Sequence, residues 1–206
     1  MIEFIIGSSL AASAGLNAWM PLFLLGLSDR LLPAVDLPAG WSWLSSDIAL
    51  WIIGVLLVLE IVADKIPALD SINDIVQSIL RPASGGIAFG AGAGAQTVAV
   101  DDPSAFFSES TWAPILAGIA IALIVHIVKA TGRVAANTAT AGLAAPVLST
   151  VEDGASFALA AAAIVVPVLA LLLLAGLVVA VAVTIRRTSR RRRQRAVGQP
   201  GSRDRE

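Results

Sequence analysis

The chain has no cysteine, which excludes a disulfide, a thiolate metal site and a cysteine nucleophile. It has one histidine, His126. That histidine could join Glu60 and Asp64 around a divalent ion. A lone histidine at the end of an apolar segment is more often structural, so no metal or other cofactor is expected. No Ser-His-Asp, HExxH or paired-cysteine arrangement is readable, and catalysis is not expected. Charge is also scarce. Only 14% of the 206 residues are charged, 57% are hydrophobic, and the mean hydropathy is +0.84. Soluble domains carry about 25% charged residues. A water-soluble fold of this size cannot hide so much apolar surface, so an integral membrane protein is expected. The opening MIEF lacks a basic n-region, and no small-residue cleavage motif follows a short apolar core. The first apolar segment is therefore expected to be retained.

Apolar stretches cover residues 4–27, 47–63, 84–100, 112–128, 134–149 and 155–185, the last interrupted by Pro167. The expected fold is all-α: a single membrane domain over 1–185 with about six embedded helical segments, followed by a disordered basic tail over 186–206. Nine of the 14 basic residues lie in that tail, which places it in the cytoplasm by the positive-inside rule. Lys65 and Arg81, and Lys129 and Arg133, favour the same side. The acidic 101–111 connector, Glu152 and Asp153 would then face out. These assignments agree if 134–149 crosses, giving six crossings with both termini inside. The alternative is five crossings with the N-terminus outside and 134–149 interfacial or re-entrant.

The stretch 60–82, EIVADKIPALDSINDIVQSILRP, puts six ionisable groups at the end of an apolar run. Glu60 and Asp64, four apart, share a helix face, as do His126, Lys129 and Arg133. One segment presents acids and the other bases, which suggests a degenerate internal repeat with a proline break in each half at Pro82 and Pro146. The charges either form structural pairs, Glu60 with Lys129 for example, or line a solute or proton pathway. Buried ions in a span cost about 2.5–3.5 kcal/mol each. Residues 70–81 read as an amphipathic helix with Asp70, Asp74 and Arg81 on its polar face. Ser71 and Asp74 resemble a capping box.

In the first segment Ser9, Ser13 and Asn17 recur every four residues, a polar stripe that needs protein or water as partner. Gly86, Gly90 and Gly94 form a small-xxx-small pattern and read as a helix-packing face. Ser149 or Thr150 reads as a helix N-cap, with Glu152 and Asp153 in the first turn. The Arg-rich tail is expected to meet anionic lipid, and no nucleic acid is expected as a partner.

The segments SAGLNAWMPLFLLGL, EIVADKIPALDSINDIVQSILRPASGG, HIVKATGR and PVLSTVED resemble the uncharacterised bacterial multi-pass membrane proteins grouped as DUF4126. The resemblance covers most of residues 8–160 and implies an integral protein of the bacterial cytoplasmic membrane. It names no activity, but it binds Glu60, Asp64, Lys65, Pro67, Asp70, Arg81 and Pro82 into one unit. The expected function is a small transporter or channel. Its site would be Glu60, Asp64, Lys65, Asp70, Asp74, Arg81, His126 and Lys129, with Asn17 nearby. So few short spans would need a compact bundle or a homo-oligomer to enclose a pathway. The alternative is a non-transporting scaffold with structural charge pairs.

Overall fold

The computed structural model describes the backbone of residues 1–103 and 112–197. Within its helices the side chains of 67–72, 74, 181, 184, 185 and 187–197 are outside the described residues. Seven helices form, with no strand among the described residues: α1 (Ile2–Leu16), α2 (Met20–Leu31), α3 (Asp47–Ala63), α4 (Pro67–Ala93), α5 (Trp112–Thr140), α6 (Ala145–Val165) and α7 (Pro167–Val197). A 3-10 turn, Ser42–Ser45, precedes α3.

The first apolar segment is not one helix. Asn17 is extended, at φ −144° and ψ 120°, and ends α1. Its Oδ1 accepts from the Trp19 and Met20 N–H groups, at 3.2 and 3.1 Å. This caps the start of α2, where Pro21 needs no hydrogen-bond acceptor. The two helices double back on each other. A Cβ on Gly7, near the start of α1, would meet Phe89 and Ala93 at the end of α4. Asp36, just past α2, pairs with Gln96, just past α4, through two backbone hydrogen bonds of 3.1 and 2.9 Å. Both outer ends therefore lie by the C-terminus of α4, and the Asn17–Trp19 break is the apex of a V.

α1 is the central helix: every residue from Ile6 to Leu16 is buried. Small side chains let α4, α5 and α6 approach it. Ser13 and Ser156 of α6 exchange reciprocal bonds, each hydroxyl donating to the other's carbonyl at 2.9 and 3.0 Å. That accounts for the middle of the Ser9–Ser13–Asn17 stripe.

The remaining boundaries correct several expectations. Pro82 lies inside α4 and does not end it. A proline costs a helix about 3 kcal/mol, and packing of α4 between α1 and α5 offsets this. Residues 134–149 do not form one segment. Their first half finishes α5, Ala141 and Gly142 turn at positive φ (51° and 87°), and their second half starts α6. Pro146 sits in the first turn of α6 and Ala144 is the N-cap, so Ser149 and Thr150 do not cap a helix and Glu152 and Asp153 are not at its start. Pro167 divides 155–185 between α6 and α7, with Val166 non-helical between them at φ −139° and ψ 76°. α7 then continues to Val197, past the expected boundary at 185 and into the expected disordered tail. Arginine is a good helix former. The proposed repeat is not mirrored in the helices: Glu60 and Pro82 lie at a helix end and inside a helix, whereas His126 is mid-helix and Pro146 begins one.

The glycine face is also different in detail. Gly86 packs on Ile115 and Ile119, and Gly90 on Trp41. Gly94 caps α4. α4 and α5 approach closely at Gly85 and Gly118, where a Cβ on Gly118 would lie 2.3 Å from the Gly85 carbonyl oxygen.

Polarity is inverted relative to a soluble bundle. α3 buries only Ile53, Leu57 and Glu60, while Ile48, Trp51, Val55, Val58 and Val62 face out. α5 buries a stripe that runs from small residues (Pro114, Gly118, Ala122) to bases (His126, Lys129, Arg133). Among the described residues, α5 and α6 are long and apolar enough to cross a membrane. Of their most apolar stretches only 33% and 39% is buried, which is unlike the core helix of a soluble protein.

Candidate functional site

The site is built on the α1–α2 break. An interrupted helix leaves the last carbonyls of one piece and the first N–H groups of the next without helical partners. Here each end meets a buried ion. Lys129 Nζ donates to the Leu16 carbonyl at 2.7 Å. Glu60 accepts from the Ala18 N–H with both carboxylate oxygens, at 3.3 and 3.1 Å. A cation at a helix C-terminus and an anion at an N-terminus each complement the local dipole.

A continuous ion network surrounds the break. Arg81 donates to Glu60 Oε1 at 2.9 Å and lies 3.7 Å from Asp64. Asp64 also faces Lys129 at 3.3 Å and Arg133 at 3.6 Å, and accepts from Asn73. Glu152 joins Lys129 and Arg133, at 3.2 and 2.9 Å. At the rim Lys65 meets Asp153 at 3.2 Å, and Asp153 accepts from Asn17 at 3.0 Å. Among the described side chains, Glu60, Asp64, Glu152 and Asp153 thus match Lys65, Arg81, Lys129 and Arg133 in formal charge.

His126 has a defined tautomer within this frame. A guanidinium only donates, so the 3.1 Å contact with Arg81 makes Nδ1 the acceptor. Nε2–H then donates to Ser78 Oγ at 3.1 Å. The imidazole is neutral in this arrangement.

The side chains of Glu60, Asp64, Arg81, Lys129 and Arg133 are at most 1% exposed, whereas Glu152 is 15% exposed. A pocket of about 240 Å³ between α5, α6 and α7 opens onto Lys129, Arg133 and Glu152. A larger apolar cleft, about 640 Å³ between α2 and α3, shares no lining residue with the network.

Most expected site residues converge: Asn17, Glu60, Asp64, Lys65, Arg81, His126 and Lys129 are in one cluster. The side chains of Asp70 and Asp74 lie outside the described residues. The pairing differs from expectation, because Glu60 is held by Arg81 and Lys129 by Asp64 and Glu152. Glu152 and Asp153 sit level with Lys129, Arg133 and Lys65, not across the bundle from them. Sequence reasoning left them out of the site, together with Ser78; it put Arg133 on the face of His126 and Lys129 but not in the site. Pro146 as a first-turn proline was the available signal: it starts α6 early enough to carry both acids onto the basic face.

A family model described as a domain of unknown function, DUF4126, matches residues 4–187. No curated protein and no solved structure matches the chain.

Proposed function

The chain belongs to DUF4126, and we propose that it is a small membrane transporter or channel whose solute pathway runs through the Glu60–Arg81–Asp64–Lys129 network. The observation that carries this reading is the α1–α2 break with a buried ion on each open end. Secondary transporters use interrupted helices in this way, with helix termini and unwound backbone forming the solute site. A purely structural helix would gain nothing from the interruption, and buried ions are costly in lipid.

The fold supports the following membrane arrangement. Leu148 and Glu152, early in α6, share a pocket with Ala180, well along α7. The two helices are therefore antiparallel, and the Arg-rich end of α7 lies on the same side as the 141–144 turn. By the positive-inside rule that side is the cytoplasm of a bacterial cell. α3 to α7 then make five crossings. α1 and α2 form a re-entrant V from the outside, which replaces the expected six crossings and puts the N-terminus outside. Non-helical backbone at membrane depth is tolerated only where protein or a water-filled cavity surrounds it, as at Asn17–Trp19. The basic end of α7 would meet anionic lipid. Neutral His126 and paired Glu60 are the groups through which proton binding would reorganise the network.

The test is flux into liposomes carrying the purified protein. Proton and solute fluxes are expected, and Glu60→Gln and His126→Ala are expected to reduce them. Fluxes indistinguishable from protein-free liposomes, or unchanged by both substitutions, would overturn the reading. The even balance of acids and bases also favours a second reading, a non-transporting scaffold. That reading predicts loss of stability in these variants with no flux in any of them.

A further inference from the structure

We infer that the pocket between α5, α6 and α7 binds a small anion bearing a carboxylate or phosphate group, with Glu152 as the internal carboxylate that the anion displaces. This rests on the proposed solute pathway and names the class of solute it takes.

Three features of the pocket lead there. Its volume, about 240 Å³, is below the roughly 300–1,000 Å³ of drug-sized sites, so the occupant is small. Its walls are apolar at Val128, Leu148 and Ala180, and its polar groups are Lys129, Arg133 and Glu152. Both cations are at most 1% exposed, and Arg133 already holds a carboxylate at 2.9 Å. An arginine fork beside an ammonium suits carboxylate and phosphate oxygens. Glu152 is the acid of this group that reaches the opening, at 15% exposed against 1% for Asp64.

An incoming anion takes the place of the Glu152 carboxylate on Lys129 and Arg133. Space for that exchange exists at Gly132, where an added Cβ would meet nothing within 4 Å. Arg186 follows Ala180 by six residues, about 9 Å along α7, so a basic helix end flanks the mouth and raises the local anion concentration.

The test is thermal unfolding of the purified full chain in neutral detergent. Acetate and inorganic phosphate are titrated against sodium chloride at equal ionic strength, and a parallel arm adds short-chain phosphatidylglycerol. Acetate or phosphate is expected to raise the unfolding midpoint. Glu152→Gln removes the competing carboxylate and is expected to lower the midpoint without anion and tighten the apparent affinity at least tenfold. Gly132→Leu fills the pocket and is expected to weaken it at least tenfold, with Ala180→Leu entering the same space from α7 if the first variant does not fold. No response to either anion in the wild type and in Glu152→Gln overturns the site. So does a response to phosphatidylglycerol alone, which would assign a lipid headgroup. Binding without flux keeps this site and removes the transporter, whereas flux without anion binding does the reverse.

Discussion

Arg81 is the residue on which the network turns. It is fully buried and touches Glu60 at 2.9 Å, His126 at 3.1 Å and Asp64 at 3.7 Å. At an effective dielectric of about 20, the Glu60 contact alone is worth about 6 kcal/mol before solvation is counted. Desolvation of both ions offsets most of that. Removing one partner is a different matter, because the other charge is left buried and uncompensated, at a cost of about 3–5 kcal/mol. We therefore expect Arg81→Met to lower the unfolding free energy by about 3–5 kcal/mol. Glu60→Gln removes the opposite charge and keeps a carbonyl oxygen for the Ala18 N–H. In the double variant one charge of each sign is removed, and Asp64, Glu152 and Asp153 keep their contacts with Lys65, Lys129 and Arg133. It is expected to lie within about 1–2 kcal/mol of the wild type. Reversible unfolding in mixed micelles, followed by the five tryptophans, measures both. A loss below about 1 kcal/mol for Arg81→Met would refute the reasoning, as would a double variant no more stable than Arg81→Met alone.

Two further predictions address packing and topology. Gly118→Val places a side chain 2.3 Å from the Gly85 carbonyl oxygen, where backbone must move, and is expected to cost about 1–3 kcal/mol or more. Gly132→Ala enters open space and should gain up to about 1 kcal/mol in helix propensity; equal effects in the same unfolding assay would contradict the α4–α5 contact. In the cysteine-free background, membrane-impermeant thiol labelling of intact cells should reach Ile2→Cys. Leu143→Cys and Arg186→Cys should react only after permeabilisation. Labelling of Ile2→Cys and Leu143→Cys from the same side would remove the re-entrant V.

What was legible in the sequence were faces, and what was not were ends. The spacing of His126, Lys129 and Arg133 forces them onto one side of any helix, and the structure buries all three there. Glu60 and Asp64 likewise project together although Asp64 is already the C-cap of α3. Helix ends depend on weaker local signals that tertiary packing overrides. Pro82 looked like a stop, yet α4 runs through it because its flanks are held by α1 and α5. Residues 134–149 looked like a segment because they carry no charge, but Gly142 supplies the positive φ that turns the chain in their middle. The break at Asn17 was masked by apolar continuity from Phe4 to Leu27. Its local signals, an Asx cap and a first-turn Pro21, become decisive only because Lys129 and Glu60 arrive from other helices to satisfy the exposed ends.

That dependence constrains how the site can work. The V of α1 and α2 is held at its apex by side chains from α3 and α5, and those side chains are held in turn by Arg81, Asp64 and Glu152. Every ion serves two partners, so no single contact can open without leaving a buried charge or a helix terminus unsatisfied. A solute or a proton that replaces one partner removes that penalty at one node and passes it to the next. Anion exchange at Glu152 would free a carboxylate at the pocket mouth and put the anion in its place on Lys129, which also holds Asp64 and the Leu16 carbonyl. The helix break would then feel an event at the pocket through one side chain, Lys129, which touches both.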